Sequence, residues 1–190
     1  MRFCFLVFLL LAFPGIAVQG LEISGKRIPE AYVKGLESAL ERAGDNAPEL
    51  RAAFGRIKSE EVAGLAFLVA NMPERDLVSL DAVYLAENIT WAYKARAQFP
   101  WAQAIGEELF FNDVLPYASI NERRDSWRKD FFGRFSQLVK DCKTPGEAAQ
   151  VLNKEIWSIV DVRYHATKRP KPDQSPYESI EAKFASCSGL

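Results

Sequence analysis

Between residue 29 and about residue 140 the apolar positions recur at helical spacing. Residues 31–42 and 48–58 predict two short amphipathic helices, parted by the breaker Gly44-Asp45-Asn46. Ser59, followed by Glu60 and Glu61, predicts a capped helix running to about residue 71, before Pro73. The hydroxyl would take an orphan amide, and the acids suit the positive helix end. Residues 79–98 form the longest helical stretch, with Leu80, Val83, Tyr84, Ile89 and Trp91 on its apolar face; Phe99-Pro100-Trp101 ends it. Asn88-Ile89-Thr90 matches a glycosylation acceptor but falls inside this helix, so no modification is expected there.

Residues 109–117 (LFFNDVLPY) are apolar without a clean period. Proline disfavours helical geometry in the residue before it, so Val114 and Leu115 are expected to be extended or in a turn. A helix from Glu122 to about residue 140 then places Trp127, Phe131, Phe135 and Leu138 on one buried stripe. On the same stretch Arg123, Arg124, Arg128 and Lys129 interleave with Glu122, Asp125 and Asp130, which predicts a solvated face, not a phosphate site. Two capping boxes follow. Thr144-Pro145-Gly146-Glu147 opens a helix to about residue 159, and Ser175-Pro176-Tyr177-Glu178 opens a short one to about residue 183. Between them, residues 160–166 (VDVRYHA) alternate as a strand, and residues 168–174, with Pro170 and Pro172, read as a surface loop.

The first twenty residues change the picture of where the protein works. Arg2 precedes an uncharged apolar run from Phe3 to Phe13, Pro14 and Gly15 break it, and Ala17-Val18-Gln19-Gly20 offers small residues for cleavage. This is the pattern of a secretory signal peptide, and its apolar run is shorter than the roughly 20 residues of a spanning helix. The chain is expected to be exported, to a periplasm or out of the cell, with no stable membrane span after cleavage. The whole chain has 24 basic and 25 acidic residues. Only Arg2 is charged within residues 1–20, which leaves the mature part at 23 against 25, a net −2. That balance gives no reason to expect nucleic acid as a partner.

Cleavage leaves Cys142 and Cys187. In an oxidising compartment they could bridge, closing a loop of about 45 residues worth roughly 4 kcal/mol in the chain-entropy model. Cys187 also sits among small residues, Ala185-Ser186-Cys187-Ser188-Gly189, where a new helix would begin. A thiol at a helix amino end is favoured as thiolate and becomes nucleophilic near neutral pH. His165, the one histidine, lies on the expected strand and reads as structural or exposed. One histidine and two cysteines lack the clustered spacing of a zinc site, so neither a metal nor a cofactor is expected.

Together these features resemble the front of a transglutaminase-like domain of the bacterial, exported kind. The resemblance rests on Val114-Leu115-Pro116-Tyr117, Glu122 and Trp127-Arg128, then Gln174 to Ile180 (QSPYESI), then Ala185 to Leu190 (ASCSGL), and covers about residues 110–190. It implies a papain-like arrangement in which Cys187 attacks a peptide or protein amide and forms a thioester, resolved by hydrolysis or by acyl transfer. The family's His and Asp lie downstream of the nucleophile, and this sequence stops three residues after it. The expectation is therefore a mostly α chain: a signal peptide (1–20), a helical region (21–143) and the beginning of an α+β transglutaminase-like core (144–190), inactive by itself. The competing expectation is a secreted helical binding protein stapled by a Cys142–Cys187 disulfide.

Overall fold

A computed structural model describes residues 20–185, and these are mostly helical, with ten α-helices and four strands of two residues each. The signal-like segment and Cys187 lie outside the described residues. A small antiparallel hairpin, β1 (Glu22–Ile23) and β2 (Lys26–Arg27), turns through Ser24 and Gly25, both at positive φ. Helices α1 (Glu30–Arg42) and α2 (Ala47–Arg56) form nearly where the apolar spacing puts them, burying Leu36, Ala39 and Leu40, and Leu50, Ala53 and Phe54. Asn46, in the breaker between them, donates from Nδ2 to the carbonyls of Leu77 and Leu80 at 2.8 and 2.9 Å. A turn that looks like a spacer thus ties two layers together.

The start of α3 (Val62–Ala70) differs from expectation. Residues Ser59–Glu61 form a 3-10 turn, and the Glu61 carboxylate, not the Ser59 hydroxyl, serves the helix start by accepting the Lys58 amide at 2.8 Å. Helix α4 (Glu74–Leu77) is a single turn, and α5 (Ala82–Gln98) begins three residues later than the pattern suggests. Ser79 turns its hydroxyl back to the Arg75 carbonyl, and Asp81 caps α5 by accepting the Tyr84 amide at 2.8 Å. Helices α1, α2, α3 and α5 close around one core that includes Phe54, Leu65, Leu85, Ile89, Phe110 and Leu115, all fully buried. Each such side chain contributes roughly 1.5–3 kcal/mol by leaving water.

After α6 (Pro100–Gln103), α7 (Glu107–Leu109) runs into a π-helical turn, Phe110–Val114. Leu115 keeps helical backbone angles (φ −72°, ψ −34°), against the expectation set by Pro116. Its amide donates to the Phe110 carbonyl at 2.9 Å and its side chain is fully buried, so packing overrides the local preference.

Helix α8 (Trp127–Val139) starts five residues after the expected Glu122, because side chains of residues 122–125 bond elsewhere. Helix α9 (Pro145–Val160) has the Thr144 cap, with Oγ1 accepting the Glu147 amide at 3.1 Å. The expected 160–166 strand shrinks to β3 (Arg163–Tyr164), since α9 persists to Val160 and Asp161 ends it at φ +53°. Helix α10 (Pro176–Ala182) then leads to β4 (Phe184–Ala185), which pairs in parallel with β3. Phe135, Val160, Val162 and Ala185 bury together, as do Phe99, Ala102, Val139 and Ala148. Among the described residues no helix is long and apolar enough to cross a membrane.

Candidate functional site

The segments singled out by their sequence meet at a cleft between the 112–122 stretch, the first turn of α8 and the first turn of α10. A buried ion pair braces two of its lining residues, Tyr117 and Glu122. Asp76, 3 % exposed at its side chain, accepts from Arg124 Nη2 at 2.9 Å and Nε at 3.1 Å, and from the Tyr117 hydroxyl at 2.9 Å. The Tyr117 carbonyl accepts the Trp127 indole N–H at 3.2 Å. Glu122 accepts the Ser119 and Ile120 amides and lies 3.8 Å from Arg124. Burial alone would raise its carboxyl, but the amides and the guanidinium outweigh that and hold it below the usual range.

Asp125 links this layer to α10. It pairs with Arg123 at 2.6 Å, and its second oxygen accepts the Tyr177 amide at 3.1 Å, one of the orphan donors in the first turn of α10. Tyr177 also meets Phe131 edge to face, with ring centres 6.4 Å apart. Next to it, Arg128 donates from Nε to Asn88 Oδ1, and from Nη2 to the carbonyls of Val114, Leu115 and Pro116. Burial lowers the Arg128 guanidinium to a pKa of about 10, although it stays charged at neutral pH. Burial likewise pushes the Tyr84 and Tyr117 hydroxyls far above the usual phenol range. The solvated face expected for residues 122–130 holds for Arg123 and Lys129, which are exposed, but not for Arg124, Asp125 and Arg128, which are turned into the protein. The cleft measures about 600 Å³ and is lined by Asp113, Pro116, Glu122, Trp127, Arg128 and Pro176, among others.

The second half of the site is the β3–α10–β4 unit. The Ser175 box is complete, with Oγ accepting the Glu178 amide at 3.2 Å and Glu178 Oε2 accepting the Ser175 amide at 2.9 Å. Burial opposes ionisation of Glu178, but Lys171 Nζ at 2.6 Å and the Ser175 bonds prevail, so its pKa is lowered. Gln174, expected in a surface loop, is instead buried, and its Nε2 donates to the Phe184 carbonyl at 3.0 Å. The Ala185 carbonyl accepts the His165 amide at 2.8 Å, and Ala185 itself is fully buried. The Gln174 side-chain bond and the His165 strand bond fix the backbone three and two residues before Cys187.

The structure brings His165 beside β4, with its ring 5.6 Å from that of Phe184. Its Nδ1 accepts the amides of Thr167 and Lys168 at 3.2 and 3.1 Å, which assigns the ring proton to Nε2. A ring with its lone pair tied to two amides caps a turn and is not poised as a general base. Cys142 is half-buried just after α8 and has no disulfide partner among the described residues. Neither Cys187 nor a Cys142–Cys187 bridge falls within those residues.

Sequence reasoning missed the roles of Asp76 and Asn88, whose partners lie 48 and 40 residues away, and the burial of Gln174. The local signals were the Trp127-Arg128 pair and the QSPYESI segment within the resemblance to transglutaminase-like domains. Comparison with protein-family models, with curated proteins and with solved structures gives no match for this chain.

Proposed function

We propose that residues 144–190 open an α+β, papain-like core of the transglutaminase type, with Cys187 as its nucleophile. The observation that best supports the reading is the Asp125–Tyr177 bond at 3.1 Å, which joins the two motif segments 52 residues apart in sequence. The first two segments that carry the resemblance are joined in one structural unit, and the third begins on a strand held at Phe184 and Ala185. A nucleophile works best when the backbone bearing it is fixed by packing and outer hydrogen bonds.

In the proposed reaction the Cys187 thiolate attacks the carbonyl carbon of a peptide or protein amide. The carbon–nitrogen bond breaks, the nitrogen leaves as an amine after gaining a proton, and a thioester remains. Water or a second amine then attacks the thioester and releases the thiolate. The proton acceptor in this reading comes from outside residues 20–185, because His165 is committed to its turn. The proposed setting is a periplasm or the cell exterior.

The test is a peptide mass spectrum of protein alkylated with iodoacetamide without prior reduction. Cys187 carrying the alkyl group is the expected result. A peptide linking Cys142 to Cys187 would overturn the reading and favour a disulfide-stapled helical binding protein.

A further inference from the structure

Arg128 differs from its charged neighbours. Arg123 has Asp125 and Glu181, and Arg124 has Asp76 and Glu122. Among the described residues no carboxylate pairs with Arg128, whose acceptors are neutral: the Asn88 amide oxygen and three main-chain carbonyls. Those carbonyls close the π-helical turn, and a helix end carries only about half a unit of negative charge. A positive excess remains.

The guanidinium is also held still. Nε and Nη2 are engaged, and the Trp127 ring centre lies 4.6 Å from the guanidinium carbon, covering one face. Nη1 has no hydrogen-bond partner among the described residues, and it is not one of the buried unpaired polar atoms. It is the donor left open on a residue that lines the cleft. A fixed guanidinium with one open edge loses little rotamer entropy on binding an oxyanion, which is why arginine serves such sites.

The acids of the cleft decide which anion. Glu122 is occupied by two amides and Arg124, whereas Asp113 is exposed and makes no hydrogen bond or ion pair among the described residues. With Glu122 balanced by Arg124, Asp113 is the uncompensated acid lining the cleft, and it opposes a dianion more than a monoanion. We propose that this cleft is a carboxylate-binding site, with Arg128 as its anchor and a peptide terminus or acidic side chain as its ligand. The site does not depend on the nucleophile reading, and its readout is binding, so it stands whichever state of Cys187 is found.

The test is titration of the wild-type protein, up to about 10 mM ligand in view of the weak affinity of small probes, followed by arginine side-chain 1H–15N NMR. The probes are N-acetyl-dialanine acid, its amide, N-acetylglutamate α-amide and inorganic phosphate. The expected result is that one or both acids shift the Arg128 Nε–Hε signal; the first acid reports a terminus and the second a side chain. The neutral amide should bind at least tenfold more weakly, as one lost charge-assisted bond implies. Asp113→Asn, at an exposed position that bonds to nothing, should tighten acid binding about two- to fivefold at low salt. Arg128→Lys should abolish it, and the wild-type titration decides the matter should that variant not fold. Acid and amide binding equally, an unmoved Arg128 signal, no effect of Asp113→Asn or tighter binding of phosphate would each overturn the proposal.

Discussion

Replacing Arg124 by methionine should destabilise the fold by stranding a buried carboxylate. Arg124 is 12 % exposed at its side chain, and it makes three contacts of 2.9–3.1 Å with a carboxylate that is 3 % exposed. Removing one partner of a buried pair costs about 3–5 kcal/mol, chiefly because the other charge is stranded. Asp76 would retain the Tyr117 hydroxyl at 2.9 Å and Arg75 Nε at 3.5 Å, which argues for the lower end, about 3 kcal/mol. Asp76→Asn keeps an acceptor for Tyr117 and leaves Arg124 with the Glu122 carbonyl at 2.8 Å and its carboxylate at 3.8 Å. Its cost should be about 2 kcal/mol. The double variant should cost about 3 kcal/mol, not 5, giving a coupling of about 2 kcal/mol. Urea unfolding followed by far-UV circular dichroism measures all three, with an unchanged slope showing that the midpoint shift reports stability. Single losses below about 1 kcal/mol that simply add would refute the claim that this pair organises the segment.

Three further outcomes follow from the geometry. In Gly64→Ala the new Cβ would lie 2.7 Å from Tyr93 Oη and 3.1 Å from Leu115 Cδ2; Tyr93 is pinned edge to face on Phe110, so a loss of about 1–2 kcal/mol should appear in thermal melts. Lys183→Gly relieves a left-handed residue (φ +62°) after α10 and gives up only an exposed ion pair at 3.4 Å, so the midpoint of urea unfolding should rise by the equivalent of about 0.5 kcal/mol. Glu122 and Glu178 have folded pKa values below their ordinary value of 4.5. Their stabilisation is complete above that value and is lost as pH falls through the lower folded values. The midpoint of urea unfolding should therefore decline on acidification below about pH 4.5, and less so in Glu122→Gln.

What the sequence could reveal was local. The Ser175–Glu178 box is complete within four residues, and it formed as read. Helices α1 and α2 follow from apolar spacing, because one face is enough to define them. The charged stretch 122–130 was misjudged for a physical reason. Alternating charges look the same whether they face water or meet partners across the fold, and Arg124 and Asp125 find theirs 48 and 52 residues away. Leu115 was misjudged likewise, since the steric preference imposed by Pro116 is weaker than the burial that opposes it. Gln174 sat between loop-forming prolines and the Ser175 box, and only the closing of β4 onto β3 explains why it is buried.

The central claim is that Cys187 is an activated nucleophile, and its alkylation rate as a function of pH tests this most directly. Peptide mass spectrometry after brief iodoacetamide pulses follows Cys187 and Cys142 in the same sample, with Cys142 as the internal reference. The account predicts that Cys187 reacts faster and reaches half its maximal rate well below about pH 8.5, the ordinary thiol value. A Cys187 that titrates at or above that value, or that is found linked to Cys142, would contradict it.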